Sequence, residues 1–233
     1  MLSVICPIYN EAKYIDVCVQ SILLQDYPKQ QLEVLFVDGM SKDGTRDIVN
    51  NYSKQYPFIR LLNNEKRIVP VAMNIGIKAS IGDIVMRLDA HAQYPPNYFS
   101  VLVKELVRLR ADNVGVACKT DVLNKTSKTL AIREVLSNRF GVGNSTFRLG
   151  VDKVIEVDTV PFGCWKKDVF NKYGFYDERL IRNQDIELNK RIVRGGGHIF
   201  IVPDTYCTYL ARETFDGLAK NNFGNGKWNI LTV

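Results

Sequence analysis

The chain has 233 residues, of which 46% are hydrophobic and 24% are charged, and its formal net charge is +6. This length and composition are typical of a soluble globular α/β domain with a sizeable core, alone or with an appendage. The five cysteines are widely spaced without a CxxC pair, which argues against a disulfide framework and favours reduced thiols in the cytosol. No run of 18 apolar residues predicts a membrane span, and MLSVICPIYNEA lacks the features of a signal peptide.

The positive charge is unevenly placed along the chain. Residues 1–100 contain 10 basic and 10 acidic side chains, whereas residues 101–233 contain 21 basic and 15 acidic ones. A basic half suits an anionic partner such as a diphosphate or the headgroups of an anionic membrane. The basic residues are scattered among acids and form no nucleic-acid recognition motif, so we expect no nucleic-acid partner. The alternative is a generic solvated surface.

Strands and helices alternate in the first half of the sequence. Apolar runs predict four strands, over residues 3–7, 32–38, 59–62 and 84–88. Apolar residues at helical spacing predict three helices between these strands. The first begins at residue 15 and stops at Tyr27-Pro28, and the others cover about 45–55 and 69–80. Such βαβ units predict a mainly parallel sheet of the nucleotide-binding type.

The second half has a more mixed pattern. It predicts helices over about 97–110, 128–138 and 185–194, and strands at 114–119 and 198–202. Between these elements, residues 139–153 contain three glycines and have the composition of a mobile loop. The FGVGNSTFR segment of this loop is either a lid on the acceptor side of a site or a simple connection.

The stretch LFVDGMSKDGT places an acid at the carboxyl end of a buried strand. Asp38 ends the strand, and residues 39–44 form a tight polar turn before the next helix. Ligands of open α/β sheets bind outside the carboxyl ends of the strands, so Asp38 is placed to accept a hydrogen bond from a base or a ribose. The alternative is that Asp38, Ser41 and Asp43 only form the turn and cap the helix.

Two further polar segments leave predicted strands at the same edge. Tyr9-Asn10-Glu11 follows the first strand, where an asparagine and a glutamate are also typical of a helix cap and first turn. Asp89-Ala90-His91 follows the fourth strand, and an extended chain would put its two polar side chains on one side. A carboxylate and an imidazole are ligands for Mn²⁺ or Mg²⁺, which would bridge to a diphosphate. The alternative is a surface aspartate beside a packed histidine.

The remaining candidates lie late in the chain. Asn183-Gln184-Asp185 opens a predicted helix, where Asp185 is either a general base for an attacking hydroxyl or a stabiliser of the helix N-terminus. Arg191, later in this helix, is a phosphate ligand or a partner of the helix dipole. Lys227-Trp228 follows a glycine-containing segment and either closes over a sugar or diphosphate or anchors a terminal helix.

These segments, in this order, resemble the inverting family 2 glycosyltransferases with the GT-A fold. The matching segments are SVICPIYNEAKYID, LEVLFVDGMSKDGT, AMNIGIKASIGDIVMRLDAHA and GFYDERLIRNQDIELNKRIVRGGG, and they span roughly residues 2–200. More narrowly, RLDAHA, FGVGNSTFR, VDTVPFG, RNQDIELNKR and FGNGKW resemble bacterial exopolysaccharide glycosyltransferases of the succinoglycan ExoA type. The resemblance implies a Rossmann-like, mainly parallel central sheet flanked by helices, with a mixed acceptor-side second half.

The resemblance also implies roles on the donor side. The segment around Pro7, Tyr9 and Glu11 would hold the nucleoside, and Asp38 would contact the base. Asn74 would lie beside the nucleotide pocket.

The catalytic residues follow from the same resemblance. Asp89 and His91 fall on the family's DxD element, which holds a divalent metal, Mn²⁺ or Mg²⁺, and the sugar diphosphate. Asp185 falls on the catalytic base of the ED element. The chain departs from both patterns, since DxD is Asp-Ala-His and ED is Gln-Asp. The residues implied on the acceptor and diphosphate side are Gln184, Arg191, Lys227 and Trp228.

The implied function is inverting transfer of a sugar from a nucleotide sugar, expected to be a UDP-sugar. The implied acceptor is a saccharide or polyisoprenoid-linked saccharide, in exopolysaccharide or cell-surface glycan synthesis at the cytoplasmic face of the bacterial plasma membrane. We expect a single GT-A domain over residues 1–233, with a nucleotide-binding half (about 1–92) and an acceptor-binding half (about 93–233), truncated before a membrane-associated tail.

Two other functions are alternatives. One is a catalytically inert module that binds a sugar nucleotide. The other is a sugar-phosphate nucleotidyltransferase, which shares a similar sheet but needs a glycine- and basic-rich loop after the first strand. This chain has Ile8-Tyr9-Asn10-Glu11 at that position, so the second alternative is disfavoured.

Overall fold

The structure is a computed structural model that describes residues 1–138 and 146–229, without the side chains of residues 146, 220–222, 225 and 227–229. Nine strands of these residues form one sheet. They are β1 (Leu2–Ile8), β2 (Leu32–Asp38), β3 (Ile59–Asn63), β4 (Ile84–Arg87), β5 (Ala92–Gln93), β6 (Asn113–Asp121), β7 (Ile155–Glu156), β8 (Cys164–Lys166) and β9 (Ile199–Leu210).

Helices cover both faces of this sheet. They are α1 (Ile15–Leu23), α2 (Thr45–Gln55), α3 (Val69–Ala79), α4 (Tyr98–Arg108), α5 (Ser127–Ser137), α6 (Thr146–Leu149), α7 (Val169–Tyr173), α8 (Gln184–Arg194) and α9 (Phe215–Asn229). In the described part of the chain, no helix is both long enough and apolar enough to span a bilayer. All five cysteines are buried free thiols.

The strand order is β3-β2-β1-β4-β8-β6-β9-β5, with β7 paired to β9. The first four strands are parallel, β8 is antiparallel to both of its neighbours, and β6 and β9 are parallel to each other. A mainly parallel first half with a mixed second half is therefore confirmed.

The core lies on both faces of the sheet. Successive residues of β1 point in opposite directions, so Val4 and Cys6 pack with α1 and α4 on one face, while Ile5 packs with α3 on the other. A strand that is buried on both faces needs a continuous apolar run. This is why the apolar runs of the first half identified its strands.

Two elements differ from their predicted bounds. Helix α1 ends at Leu23, because the chain after it turns to the segment before α4, where Asp26 N donates to Pro96 O at 2.8 Å. Strand β9 continues to Leu210, eight residues beyond the predicted end. Its pairing with β6 skips residues 203–205, which form a bulge. The bulge contains Pro203, and a proline is typical of a bulge or of the end of a strand, so the sequence alone favours an end there.

One buried acid ties together the amino ends of β1, β2 and β4. Glu33 is 3% exposed, and its Oε1 accepts hydrogen bonds from the Ser3 hydroxyl and from Ile81 N. Ser3 Oγ in turn accepts from Gly82 N at 2.8 Å. A Cβ at Gly82 would lie 2.6 Å from Ser3 Oγ, so the network requires glycine there. The network holds these strands at the edge opposite their carboxyl ends.

Replacing Glu33 with alanine is expected to lower the free energy of unfolding by about 1–3 kcal/mol, because the Ser3 hydroxyl and Ile81 N would lose a buried acceptor. Urea unfolding followed by circular dichroism measures the change. Glu65→Ala is the matched control, since Glu65 is exposed and its loss should change stability by less than about 0.5 kcal/mol. Equal unfolding midpoints for the two variants would contradict the role of Glu33.

Candidate functional site

A cleft of about 450 Å³ opens at the carboxyl ends of β1, β2 and β4. This is the edge at which open α/β sheets bind their ligands. The wall is built from the loops after these strands, the segment that leads into α3, the residues just before α8 and the end of β9. Six of the predicted site residues line it: Pro7, Tyr9, Glu11, Asp89, His91 and Gln184.

The chain turns at Asp89-Ala90-His91 instead of staying extended. The two polar side chains meet directly, because His91 N donates to Asp89 Oδ1 at 2.9 Å and His91 Nδ1 lies 3.2 Å from the same oxygen. On its other side, His91 Nε2 lies 2.9 Å from Glu11 Oε2. The Tyr14 ring packs against the imidazole at a centroid distance of 4.7 Å. Asp89 and His91 thus lie together through a turn, with Glu11 as a third member of the cluster.

The charges of this cluster depend on one another. Burial alone would lower the pKa of His91, but its contacts with Asp89 and Glu11 raise it to about 9. Burial acts to raise the pKa of Asp89, and the contacts with His91 outweigh it, so this pKa is lowered. Burial raises the pKa of Glu11 in spite of its contact with His91. At neutral pH, His91 is therefore an imidazolium between the side chains of Asp89 and Glu11.

The loops after β1 and β2 hold each other in place. Asn10 N donates to Ser41 Oγ at 2.8 Å, and Lys42 N donates to Asn10 Oδ1 at 3.0 Å. The Tyr9 ring lies over the backbone of Gly39, where a Cβ would be 3.0 Å from ring carbon Cδ2. Tyr9 remains 45% exposed and presents an aromatic face to the cleft. This face suits the stacking of a planar base.

Asp38 lies beneath the cleft wall rather than in it. Its side chain is fully buried, and the carboxylate accepts hydrogen bonds from the Ser41 hydroxyl, from Ser41 N at 3.0 Å and from Arg46 Nη1. Asp43 caps α2 through Thr45 N at 3.1 Å, as in the structural alternative. The cleft is lined by Val37 and Gly39, the two residues that flank Asp38 in sequence. The position of Asp38 therefore differs from the predicted direct contact with a base.

Asp185 lies in the first turn of α8, and Arg87 of β4 holds its carboxylate. Arg87 Nη1 donates to Asp185 Oδ1. Arg87 is 7% exposed, whereas the Asp185 side chain is 21% exposed. Burial raises the pKa of Asp185, and the charge of Arg87 opposes the rise without cancelling it. A carboxylate that is held in place and has a raised pKa has two properties of a general base.

The side chain of Asn74 forms hydrogen bonds with the protein backbone. It is buried on α3, where its Nδ2 donates to Tyr176 O at 3.0 Å and its Oδ1 accepts from Tyr176 N at 3.0 Å. Its Nδ2 also donates to Glu178 Oε1 at 3.1 Å. Asn74 therefore fixes the segment that leads into α8, which differs from the predicted place beside the nucleotide.

The other predicted residues of α8 have different surroundings. Gln184 lines the cleft, and its buried Oε1 has no hydrogen-bond partner among the residues that the structure describes. Arg191 pairs with Glu187 at 2.6 Å and donates to the backbone oxygens of Tyr173 and Phe175. Arg191 is thus part of the scaffold, which differs from the predicted contact with phosphate.

Two predictions concern parts of the chain that the structure does not describe. The backbone of Lys227 and Trp228 lies in α9, but their side chains fall outside the description. Most of the predicted FGVGNSTFR lid also falls outside the described residues, and Thr146–Leu149 forms α6 at its end. The roles of these residues stay predictions.

Four arginines at or beneath the cleft were missed. Arg67, Arg182 and Arg212 line it, and Arg87 supports Asp185. Arg87 carries a signal that could have found it, since a charged residue inside an otherwise apolar strand needs a buried partner. The other three lie in loops, where an arginine has no distinguishing pattern.

The cluster of Asp89, His91 and Glu11 has the donor chemistry of a divalent-metal site. Carboxylate oxygen and neutral imidazole nitrogen both suit Mn²⁺, and oxygen alone suits Mg²⁺, so a cation bound to His91 would replace the proton of its ring nitrogen. Within residues 1–138 and the described part of 146–229, no three His, Cys, Asp or Glu side chains form a complete ligand set. Asp89 and His91 could therefore supply at most part of the ligand set of a divalent cation.

Comparisons with known proteins agree with this geometry. Residues 3–174 match the family model for glycosyl transferase family 2. A dolichyl N-acetyl-alpha-D-glucosaminyl phosphate 3-beta-D-2,3-diacetamido-2,3-dideoxy-beta-D-glucuronosyltransferase from Methanococcus voltae is 28% identical, over 100% of this chain and 74% of its own. The succinoglycan biosynthesis protein ExoA from Rhizobium meliloti is 29% identical, over 96% of this chain and 67% of its own.

Solved structures show the same fold. The structure of S. aureus TarS 1-349 in complex with UDP-GlcNAc has a TM-score of 0.71 at 19% identity, and covers 94% of this chain and 60% of its own. The mannosyltransferase PcManGT from Pyrobaculum calidifontis, in complex with GDP-Man and Mn²⁺, has a TM-score of 0.70 at 22% identity, and covers 92% of this chain and 58% of its own. The chain thus spans about three-fifths of these two structures.

The family model covers well over half of the chain, and the two relatives extend the match along nearly all of it. The sheet with its cleft is the GT-A fold of the solved structures. The chain therefore belongs to glycosyl transferase family 2, and it is a transferase.

Proposed function

We propose that this protein is an inverting glycosyltransferase that moves a sugar from a UDP-sugar to a saccharide or a polyisoprenoid-linked saccharide. The observation that carries the proposal is that a cluster of possible metal ligands and a possible general base both lie near the end of β4. The Asp89–His91–Glu11 cluster lies in the cleft at the end of β4, and Arg87, the last residue of that same strand, holds Asp185. This arrangement supports a donor-diphosphate site with Asp185 as the general base beside it.

The donor side of the proposal rests on the residues that line the cleft. The aromatic face of Tyr9 and the backbone at Pro7, Val37 and Gly39 would hold the nucleoside. Asp38 would influence the base indirectly, by fixing the loop that contacts it. Alternatively, its carboxylate would contact the base directly after releasing Arg46. Asp89 and His91 would hold the cation, which offsets the negative charge on the departing nucleoside diphosphate.

Asp185 is the proposed general base. It would take the proton of the acceptor hydroxyl while that oxygen attacks the anomeric carbon from the face opposite the diphosphate. The bond from the anomeric carbon to the diphosphate oxygen breaks as the new glycosidic bond forms. Arg87 would keep Asp185 Oδ1 in place, and the Asp185 side chain, which is 21% exposed, would take up the proton. An α-linked donor then gives a β-linked product.

The acceptor side is supported by the relatives and by one side chain. The Methanococcus protein is named for a dolichyl-phosphate-linked sugar and ExoA for succinoglycan synthesis, so we extend lipid-linked or polysaccharide acceptors to this chain. Gln184 Oε1 is a buried acceptor in the cleft wall, and a sugar hydroxyl would satisfy it. Lys227 and Trp228 remain proposed contacts of the acceptor or diphosphate. We place the reaction at the cytoplasmic face of the plasma membrane.

Asp185→Asn is expected to lower kcat by about 10²–10⁴-fold, because asparagine cannot take the acceptor proton. Affinity for UDP should stay within about threefold of wild type, since the substitution preserves side-chain size. Transfer from a radiolabelled UDP-sugar measures kcat, and calorimetric titration with UDP measures the affinity.

Asp47→Asn is the matched control for this variant. Asp47 is also an acid in the first turn of an 11-residue helix, but it is exposed on α2. Its substitution loses the same kind of dipole interaction without touching the cleft, and kcat should not change. Nearly wild-type turnover of Asp185→Asn, or a product with retained anomeric configuration by NMR, would contradict the mechanism.

Binding of UDP is expected to depend on Mn²⁺ and to fall at least tenfold on addition of EDTA or in the His91→Ala variant. The reason is that Asp89 and His91 would hold the metal, and its positive charge would attract the diphosphate. Calorimetric titration measures both effects without any need for turnover.

His198→Ala is the control for the metal test, because His198 is the other histidine of the chain and pairs with Glu156 at the surface. It should bind UDP as wild type does. If UDP bound equally well with EDTA and to His91→Ala, the assignment of the metal ligands would be wrong. If UDP failed to bind while GDP, TDP or CDP bound, the choice of nucleotide would be wrong.

The basic second half is expected to bring the protein to anionic membranes. In a flotation assay, the protein should float with vesicles that contain phosphatidylglycerol at low salt and should be released at high salt. Vesicles of phosphatidylcholine alone are the control and should bind little. Equal flotation with both vesicle types, or insensitivity to salt, would contradict an electrostatic contact.

A further inference from the structure

Arg212 lies in the cleft wall, and the mechanism above gives it no part. It follows β9 directly, is exposed, and lines the cleft together with Glu11, His91 and Tyr209. Among the residues that the structure describes, no carboxylate lies within 4 Å of its guanidinium. A positive charge in a cleft without a protein partner is available to an anionic ligand.

The backbone on both sides of Arg212 is fixed. Leu210 N donates to His91 O at 2.7 Å, and Ala211 N donates to Asp121 O at 2.8 Å. The residue after Arg212 is Glu213, whose carboxylate pairs with Lys13 at 2.7 Å and accepts from Asn124 Nδ2 at 2.8 Å. The loop is therefore tied to the turn after β4, to the end of β6 and to the segment before α1, and the Cα of Arg212 has a defined position.

The stem of Arg212 also has a neighbour. Gly217 of α9 lies beside it, since a Cβ at Gly217 would be 3.6 Å from both Cβ and Cδ of Arg212. The first turn of α9 is held in turn by Thr214, whose Oγ1 accepts from Gly217 N at 3.1 Å. The stem thus runs along a fixed helix end, so little conformational entropy would be lost when the guanidinium binds a ligand.

The direct bond from Leu210 N to His91 O places the Arg212 segment against the cluster of Glu11, Asp89 and His91. Its two carboxylates disfavour a bare anion, so a ligand with several negative charges needs further positive charge nearby. A guanidinium is planar and can donate two parallel hydrogen bonds to phosphate oxygens. Its position beside this cluster, rather than beside Tyr9 and Gly39, separates it from the place proposed for the base.

We propose that Arg212 binds the diphosphate of the nucleotide donor directly, as a ligand of the phosphate oxygens that is independent of the metal. This inference rests on the proposed function, because that function places the diphosphate beside Asp89 and His91. It adds a second source of positive charge for the leaving group, supplied by the protein itself.

Nucleotide titrations in the presence of Mn²⁺ test the proposal. Arg212→Gln should weaken the binding of UDP by about 10–100-fold, as expected for loss of hydrogen bonds to a charged group. Its binding of uridine, followed by ligand-observed NMR, should match that of wild type. Arg212→Lys should be intermediate, because it retains the charge and loses the bidentate geometry. Binding of Mn²⁺ without nucleotide should be the same in all variants.

Arg194→Gln is the matched control, since Arg194 is an exposed arginine in the last turn of α8 and lies outside the cleft. It should bind UDP as wild type does. Unchanged UDP binding by Arg212→Gln would overturn the proposal, and so would an equal loss for UDP and uridine or a loss of Mn²⁺ affinity. A wild-type protein that bound none of UDP, GDP, TDP and CDP would instead overturn the proposed function, and this inference with it.

Discussion

The buried ion pair between Arg87 and Asp185 is the interaction on which the site depends. It joins the last residue of β4, in the parallel half of the sheet, to the first turn of α8, in the second half. Replacing Asp185 with an apolar residue would leave the charge of the buried Arg87 guanidinium without its partner, which would destabilise the fold. The pair thus fixes the position of the first turn of α8 relative to the end of β4, beside the proposed donor site. The same contact that stabilises the fold sets the position of the proposed base.

The scaffold around this pair prevents α8 from moving on its own. Asn74 holds the backbone at Tyr176, and Arg191 holds the backbone at Tyr173 and Phe175, so the segment before α8 is fixed from both sides. On the opposite side, Asn189 of α8 donates to Thr159 Oγ1 at 2.9 Å and accepts from Asn113 of β6. The contacts of Asn74 and Asn189 use neutral amides, so dissolved salt screens them little. A general base needs this kind of support, because a small displacement of its oxygen reduces proton transfer sharply.

The sequence predicts the elements of this fold better than their contacts. Apolar runs identify the central strands because those strands are buried on both faces, whereas β9 continues past Pro203 through a bulge that no local pattern announces. The positions of Asp89 and Asp185 at element ends were predictable, since strand ends and helix starts have local signals. The partner of Asp185 was not, because Arg87 lies 98 residues away and only the tertiary fold brings the two together. Arg191 was assigned to phosphate for the same reason, since its backbone acceptors are visible only in three dimensions.

The arginines of this region divide into two groups with different physical effects. Arg87 and Arg191 are paired with acids of the protein. Their charges hold these acids in place and are largely neutralised by them, so they contribute little electrostatic potential in the cleft. Arg67 and Arg212 line the cleft, and within the described part of the chain neither has a carboxylate at ion-pair distance. Pairing the first group lowers the cost of burying carboxylates, while leaving the second group unpaired keeps a positive potential where a ligand enters. A neutral sugar would gain nothing from that potential. A nucleotide sugar carries its negative charge on the diphosphate, at the bond that breaks, and so it is bound most strongly at the atoms where charge increases during the reaction.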